Sequence, residues 1–282
     1  MLTADTADRG SGVTDLPAGQ SPCVPPIESV AVPRPDHPRR VGIFRLTMWL
    51  MDSFMIAPVA RRRYLVGPLP PTGPLLVAPN HISWFDTIAV GAALTRAGRI
   101  PRFVIMEQGL RWPIVGAILR FFDHIPLDRA KATDPTLLDP VRDALRRGEC
   151  VVFYAEGGVT QRQDYLPGRP LPGLGVLAAE LGVPVVPVAQ WGAQYVLGRG
   201  QLAWRRFPPR RAKLVITSLP VMEPPSGAGV LAARRFTGKV MDAVTAAVLR
   251  LREILDEPAG STEQPARPAR PVRRPRRGDV RS

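Results

Sequence analysis

From residue 74 onward, short apolar runs alternate with stretches of helical periodicity. Leu75–Ala78, Arg102–Met106, Cys150–Tyr154, Val185–Gln190 and Lys213–Ser218 read as strands, most of them apolar on consecutive positions rather than on alternate ones. Between them, Trp84–Arg96, Pro113–Phe122, Leu137–Arg147 and Leu174–Leu181 read as helices, the last two stopped by Gly148 and Gly182. Gly229–Leu255 reads as a long amphipathic helix with a basic face. Strands apolar on both faces need helices on both sides. The expected fold is therefore α/β, a mostly parallel central sheet flanked by helices.

Ahead of this alternation lies Val41–Ala60, with Arg39-Arg40 before it and Arg61-Arg62-Arg63 after it. Twenty residues are long enough to span a bilayer, but Arg45 and Asp52 would each cost roughly 2.5–3.5 kcal/mol at mid-membrane. Lying in the interface is cheaper, with the apolar face down and the arginines on headgroups. An amphipathic membrane-interface helix over 40–63 is expected, the alternative being a helix docked on the protein's own core. Residues 1–39, rich in proline, read as a flexible leader, and 257–282, with its Pro-Ala-Arg repeat, as a disordered basic tail. That leaves 40–256 as the domain.

Composition changes this picture in one respect. The 282 residues carry 38 Lys+Arg against 24 Asp+Glu, a net charge of +14. Residues 264–282 hold seven Arg and one Asp, yet the body without them stays strongly basic, which suits an anionic membrane surface. Only three of the basic residues are lysines, and with 33 Pro and 25 Gly the arginine excess partly mirrors a compositional bias. No nucleic-acid partner is expected. Cys23 and Cys150 offer neither a disulfide framework nor a zinc site, and the first forty residues lack an apolar block, so a cytosolic placement is expected. No metal cluster or Walker motif is apparent. Two G-x-G-x-x-A matches, at Gly173 and Gly227, follow no clear strand.

The chemistry concentrates in Pro79-Asn80-His81-Ile82-Ser83-Trp84-Phe85-Asp86, just after a buried strand. Ser83 and Asp86 have the spacing of a helix-capping pair, which alone would account for both. The same geometry points the carboxylate of Asp86 back towards His81. There it can accept from one imidazole nitrogen and leave the other to take a proton. The helix N-terminus disfavours the imidazolium and the carboxylate favours it, so the two effects oppose each other. A second segment, Val151–Thr160, delivers Glu156 from the end of a strand onto the glycine pair Gly157-Gly158. Open α/β sheets bind ligands at that end of their strands.

These blocks, with Pro113-Ile114-Val115-Gly116, Ile125-Pro126-Leu127-Asp128-Arg129 and Val183-Pro184-Val185-Val186-Pro187-Val188, resemble the glycerolipid acyltransferase family of 1-acylglycerol-3-phosphate acyltransferases over about residues 40–220. His81 and Asp86 fall on that family's His-x-x-x-x-Asp motif. The resemblance implies acyl transfer from acyl-CoA or acyl-carrier protein to the hydroxyl of lysophosphatidate, with no bound cofactor. His81 would be the general base and Asp86 its brace. It further implies that Glu156 and Gly157 shape the acceptor site and that Arg129 neutralises an acceptor phosphate. Relatives read Pro-Glu-Gly-Thr with a nearby Arg, whereas this chain has Ala155, Gly158 and Val159, leaving Arg162 as the nearest substitute. An acceptor such as lyso-ornithine lipid stays open, as does a non-catalytic basic scaffold. Peripheral attachment to the cytoplasmic face of the cell membrane is the expected location.

Overall fold

The computed structural model describes residues 38–128, 130, 134–198, 201–202, 211–225 and 229–255. Its centre is a seven-stranded sheet in the order β1-β9-β6-β2-β5-β3-β4. The strands are β1 (Ala60–Leu65), β2 (Leu75–Pro79), β3 (Pro101–Met106), β4 (Ile125–Leu127), β5 (Cys150–Val152), β6 (Val185–Trp191) and β9 (Ala212–Ser218). β7 (Leu197–Gly198) and β8 (Gln201–Leu202) form a separate small hairpin. The five strands from β6 to β4 are parallel; β9 runs antiparallel to β6, and β1 parallel to β9. Every residue of β2, β5 and β6 is buried, as expected for strands covered on both faces.

The described residues form six α-helices: α1 (Pro38–Leu50), α2 (Asp86–Arg96), α3 (Pro113–Phe121), α4 (Asp139–Arg146), α5 (Gly173–Leu181) and α6 (Val230–Ile254). From β2 the chain passes through α2 to β3, through α3 to β4, and returns through α4 to β5, between β2 and β3. Helix α5 then carries it across to β6, on the other side of β2. The reversal brings the carboxyl ends of β2, β5 and β6 side by side, the place where such sheets bind ligands.

Three expectations need correction. The single helix over 40–63 does not form. α1 gives way to a widened π-type turn over Met51–Ile56, and Ala60–Leu65 is the edge strand β1. Pro58 cannot continue a helix, and Asp52 is drawn inside, where it accepts from Tyr64 Oη at 2.8 Å and meets the Arg62 and Arg96 guanidiniums. Arg61 and Arg63 alternate outward from β1, where charge discourages edge-to-edge pairing. The helix over Leu137–Arg147 is a 3-10 turn (Pro135–Leu138) followed by α4, with Pro140 in its first turn. The strand Cys150–Tyr154 leaves the ladder after Val152. β4 was not foreseen. Among the described residues no helix is long and apolar enough to cross a membrane. The leader through His37, Trp204–Arg210 and the 257–282 tail lie outside the described residues.

Candidate active site

Where the β2 ladder ends, at Pro79 opposite Val188, Asn80 extends it with its side chain. Its amide Nδ2 donates to Gln190 O at 3.1 Å and its Oδ1 accepts from Gln190 N at 2.9 Å. Gln190 Nε2 returns a bond to Asn80 O at 2.9 Å. Both side chains are fully buried, so each polar group that lacked a partner would cost about 1–3 kcal/mol. The pair locks the backbone from which His81 projects.

The backbone of His81 is held from both sides. Its N–H donates to Glu156 Oε1 at 2.9 Å, and its carbonyl accepts from Thr160 N at 2.7 Å. The imidazole Nδ1 lies 3.0 and 3.1 Å from the two carboxylate oxygens of Asp86. Asp86 is 0% exposed and also accepts from Ile82 N at 2.8 Å and Ser83 N at 2.9 Å. With that carboxylate on Nδ1, the proton sits there and Nε2 carries the lone pair. The His81 side chain is 12% exposed, so the ring is sheltered but not sealed.

The brace reading of Asp86 holds, while the capping reading needs correction: α2 begins at Asp86 itself, with Phe85 at its N-cap and no side-chain cap. The carboxylate instead takes the Ile82 and Ser83 amides of the turn before the helix, while Ser83 Oγ accepts from Phe85 N at 2.9 Å and donates to Leu197 O. One carboxylate thus satisfies the turn that leads into α2 and the imidazole at once. Tyr154, not foreseen from the sequence, completes the cluster. Its ring stacks on His81 with centroids 4.0 Å apart and 23° between planes, and its hydroxyl donates to Asp86 Oδ1 at 3.4 Å. Burial first, then the Asp86 charge, holds the phenol pKa well above its usual range, so Tyr154 stays a neutral donor.

Glu156 lies beside His81, and Gly157 follows it in the turn. Both oxygens of Glu156 serve backbone amides, Oε1 that of His81 and Oε2 that of Gly168 at 2.8 Å. Burial raises its pKa, and those two N–H bonds oppose the rise. Gly157 takes a φ of 70° in the turn that brings its N–H back to Tyr154 O at 2.9 Å. Arg162 is instead half-exposed and bound to Asp164 through two contacts, at 2.9 and 2.6 Å, which lowers the Asp164 pKa. Arg129 lies outside the described residues. Among the described residues no three His, Cys, Asp or Glu side chains form a group that could hold a metal ion.

Residues 62–191, which contain this whole cluster, match the family model described as Acyltransferase. The chain is 28% identical over 159 residues to the lysophospholipid acyltransferase LPCAT4 of Homo sapiens, and equally to that of Mus musculus. The aligned stretch covers 54% of this chain, which spans only 27% of the length of those relatives. The crystal structure of the 1-acyl-sn-glycerophosphate (LPA) acyltransferase PlsC from Thermotoga maritima superposes with a TM-score of 0.56 at 17% identity. That match covers 75% of this chain and 79% of PlsC, and it shows a shared fold. The matching domain, these relatives and this shared fold together support a glycerolipid acyltransferase family for this chain.

Proposed function

We propose that the protein moves a fatty acyl group from an acyl thioester to the hydroxyl of a lysophospholipid, with lysophosphatidate as acceptor, at the cytoplasmic face of the membrane. The observation that carries this is the imidazole of His81 held on Asp86 at 3.0 Å at the strand ends. His81 Nε2 takes the proton of the acceptor hydroxyl. The oxygen attacks the thioester carbonyl, a C–O bond forms and the C–S bond breaks. The imidazolium then returns its proton to the departing thiolate. Thioesters are already activated, so no acyl-enzyme is needed, and Ser83 is committed to the turn before α2. Acyl-CoA or acyl-carrier protein is the donor, and the membrane partner is an anionic lipid surface.

A positioned general base contributes about 10²–10⁴ in rate. Thiol release from acyl-CoA with lysophosphatidate should therefore fall by about that factor in His81→Ala while the melting temperature stays near that of the parent. A folded His81→Ala protein with full transfer would overturn the mechanism. The engagement of Arg162 by Asp164 favours a second reading in which the acceptor lacks a glycerol phosphate, such as a lyso-ornithine lipid. A panel of lyso-lipids separates the two, strong preference for lysophosphatidate deciding for the first.

A further inference from the structure

We propose that α3 (Pro113–Phe121), together with Trp112, is a membrane-seating helix in its own right, laid on the headgroup boundary of an anionic bilayer on the side of the sheet's strand ends that carries His81. This deepens the membrane partnership above but rests on a surface, not on the acyl-transfer chemistry.

Helix α3 is packed inside out. Its only buried residue is Gly116. A Cβ there would stand 2.2 Å from Leu110 O, so the helix backbone lies directly on the turn Glu107–Arg111 and leaves no space between them for a side chain. The large residues face away from the protein. Ile114 is 76% exposed and Trp112 59%, and Val115, Ile118 and Phe121 are exposed as well. Folding gains little from apolar residues left in water, and contiguous apolar surface of this kind marks a contact with something else.

The charges around it choose the occupant. Arg111 precedes the helix and Arg120 lies in its last turn, while no acidic residue lies within Pro113–Phe121. The acid that follows, Asp123, is paired with Arg40 at 2.6 Å. Trp and Phe beside arginines, with no acid on the helix itself and Glu107 alone on the turn beneath, match an anionic interface better than they match a second copy of this basic chain, whose net charge is +14. The end of α3 is also tied to the start of α1. Phe44 packs edge-on against Phe122 at 5.0 Å, and the Arg40 guanidinium sits 6.0 Å from the Phe121 ring centre. α1 and the turn after it expose Ile43, Leu46, Trp49, Leu50 and Phe54, so two linked elements present apolar surface. α3 follows β3, whose carboxyl end lies two strand spacings, about 10 Å, from that of β2. Trp84, half-exposed next to Ser83, adds an exposed aromatic residue at the site itself. Seated this way, the site at the strand ends takes a lyso-lipid from the leaflet.

The test uses the full chain carrying Cys23→Ser and Ile114→Cys, labelled with an environment-sensitive fluorophore; Cys150 is buried and stays unlabelled. With vesicles of equal phosphatidylglycerol and phosphatidylcholine, the label should shift to the blue and brighten, and phosphatidylcholine vesicles alone should give a smaller change. Ile114→Ser/Ile118→Ser in the otherwise native chain should weaken partition onto the anionic vesicles at least tenfold, with its thermal melt unchanged. The proposal is overturned if the chain sediments with vesicles while the label stays in water, or if the double variant partitions like the parent. It is equally overturned if the blue shift appears without lipid as the protein is concentrated and dimerises on a sizing column, since the face would then join two copies. Acyl transfer is not read here, so a failure leaves the proposed chemistry standing, and an inactive parent leaves α3 standing.

Discussion

At the scale of single residues, Asp86 is the point through which everything passes. It holds the turn that leads into α2, fixes the imidazole and receives the hydroxyl of a tyrosine 68 residues away in sequence. The His81–Asp86 pair was legible because its members lie five positions apart, within the reach of one helix start. Tyr154 and Gln190 were not, because their contacts run between strand ends and no local spacing encodes them. The stacked tyrosine has a measurable consequence. Around the imidazole stand Asp86 from α2, Tyr154 from the segment after β5 and Glu156 from the following turn. Tyr154→Phe keeps the ring and removes one donor from the carboxylate, which then holds the imidazolium more strongly. The acid limb of kcat/KM should move to higher pH by up to about one unit, with KM near the parent value, as a full pH–rate profile would record. An unmoved limb would mean that the hydroxyl does nothing for the pair.

At the scale of elements, apolar runs predicted the buried strands well, since a strand covered on both faces has little choice of residue. They failed where polarity and length gave no signal. β1 reads Ala-Arg-Arg-Arg-Tyr-Leu and is an edge strand, and β4 has three residues. The junction that turns the sheet antiparallel depends on Gly192, directly after β6. Its φ is 106°, and a Cβ there would lie 1.9 Å from Lys213 O on β9. Gly192→Ala combines a strained backbone with a backbone clash and should cost more than about 3 kcal/mol. Urea unfolding would show the midpoint falling, and a loss under about 1 kcal/mol would mean that the β6–β9 junction yields easily.

At the scale of the whole molecule, His124 joins pieces that lie far apart in the chain. It lies between Phe44 of α1, Phe103 of β3 and Phe122 after α3, and its Nδ1 accepts from Phe103 N at 3.2 Å. Burial, then the Arg102 charge, lowers its pKa to about 4, with Asp123 opposing. The unfolded chain therefore takes up a proton near pH 6.5 that the folded chain refuses until about pH 4. Stability is fully present above that window and declines as pH falls through it, by at most about 3 kcal/mol. Denaturant titrations at pH 7 and pH 4 would measure the loss, and His124→Gln should flatten it. Identical slopes in parent and variant would remove His124 as the cause.

The sequence by itself determined the fold class, the buried strands and the His81–Asp86 pair, because these depend on residues close in the chain: apolar runs, a helix start, an acid one turn on. Only the tertiary structure decided what Glu156 and Arg162 bind, that Tyr154 lies on the imidazole, that residues 60–65 pair as a strand, and that the apolar residues of α3 face out. A side chain's partner depends on which strand ends the crossovers bring together. The buried face of a helix depends on what it packs against, and a Gly116 lying on the Leu110 backbone reverses what apolar content alone suggests.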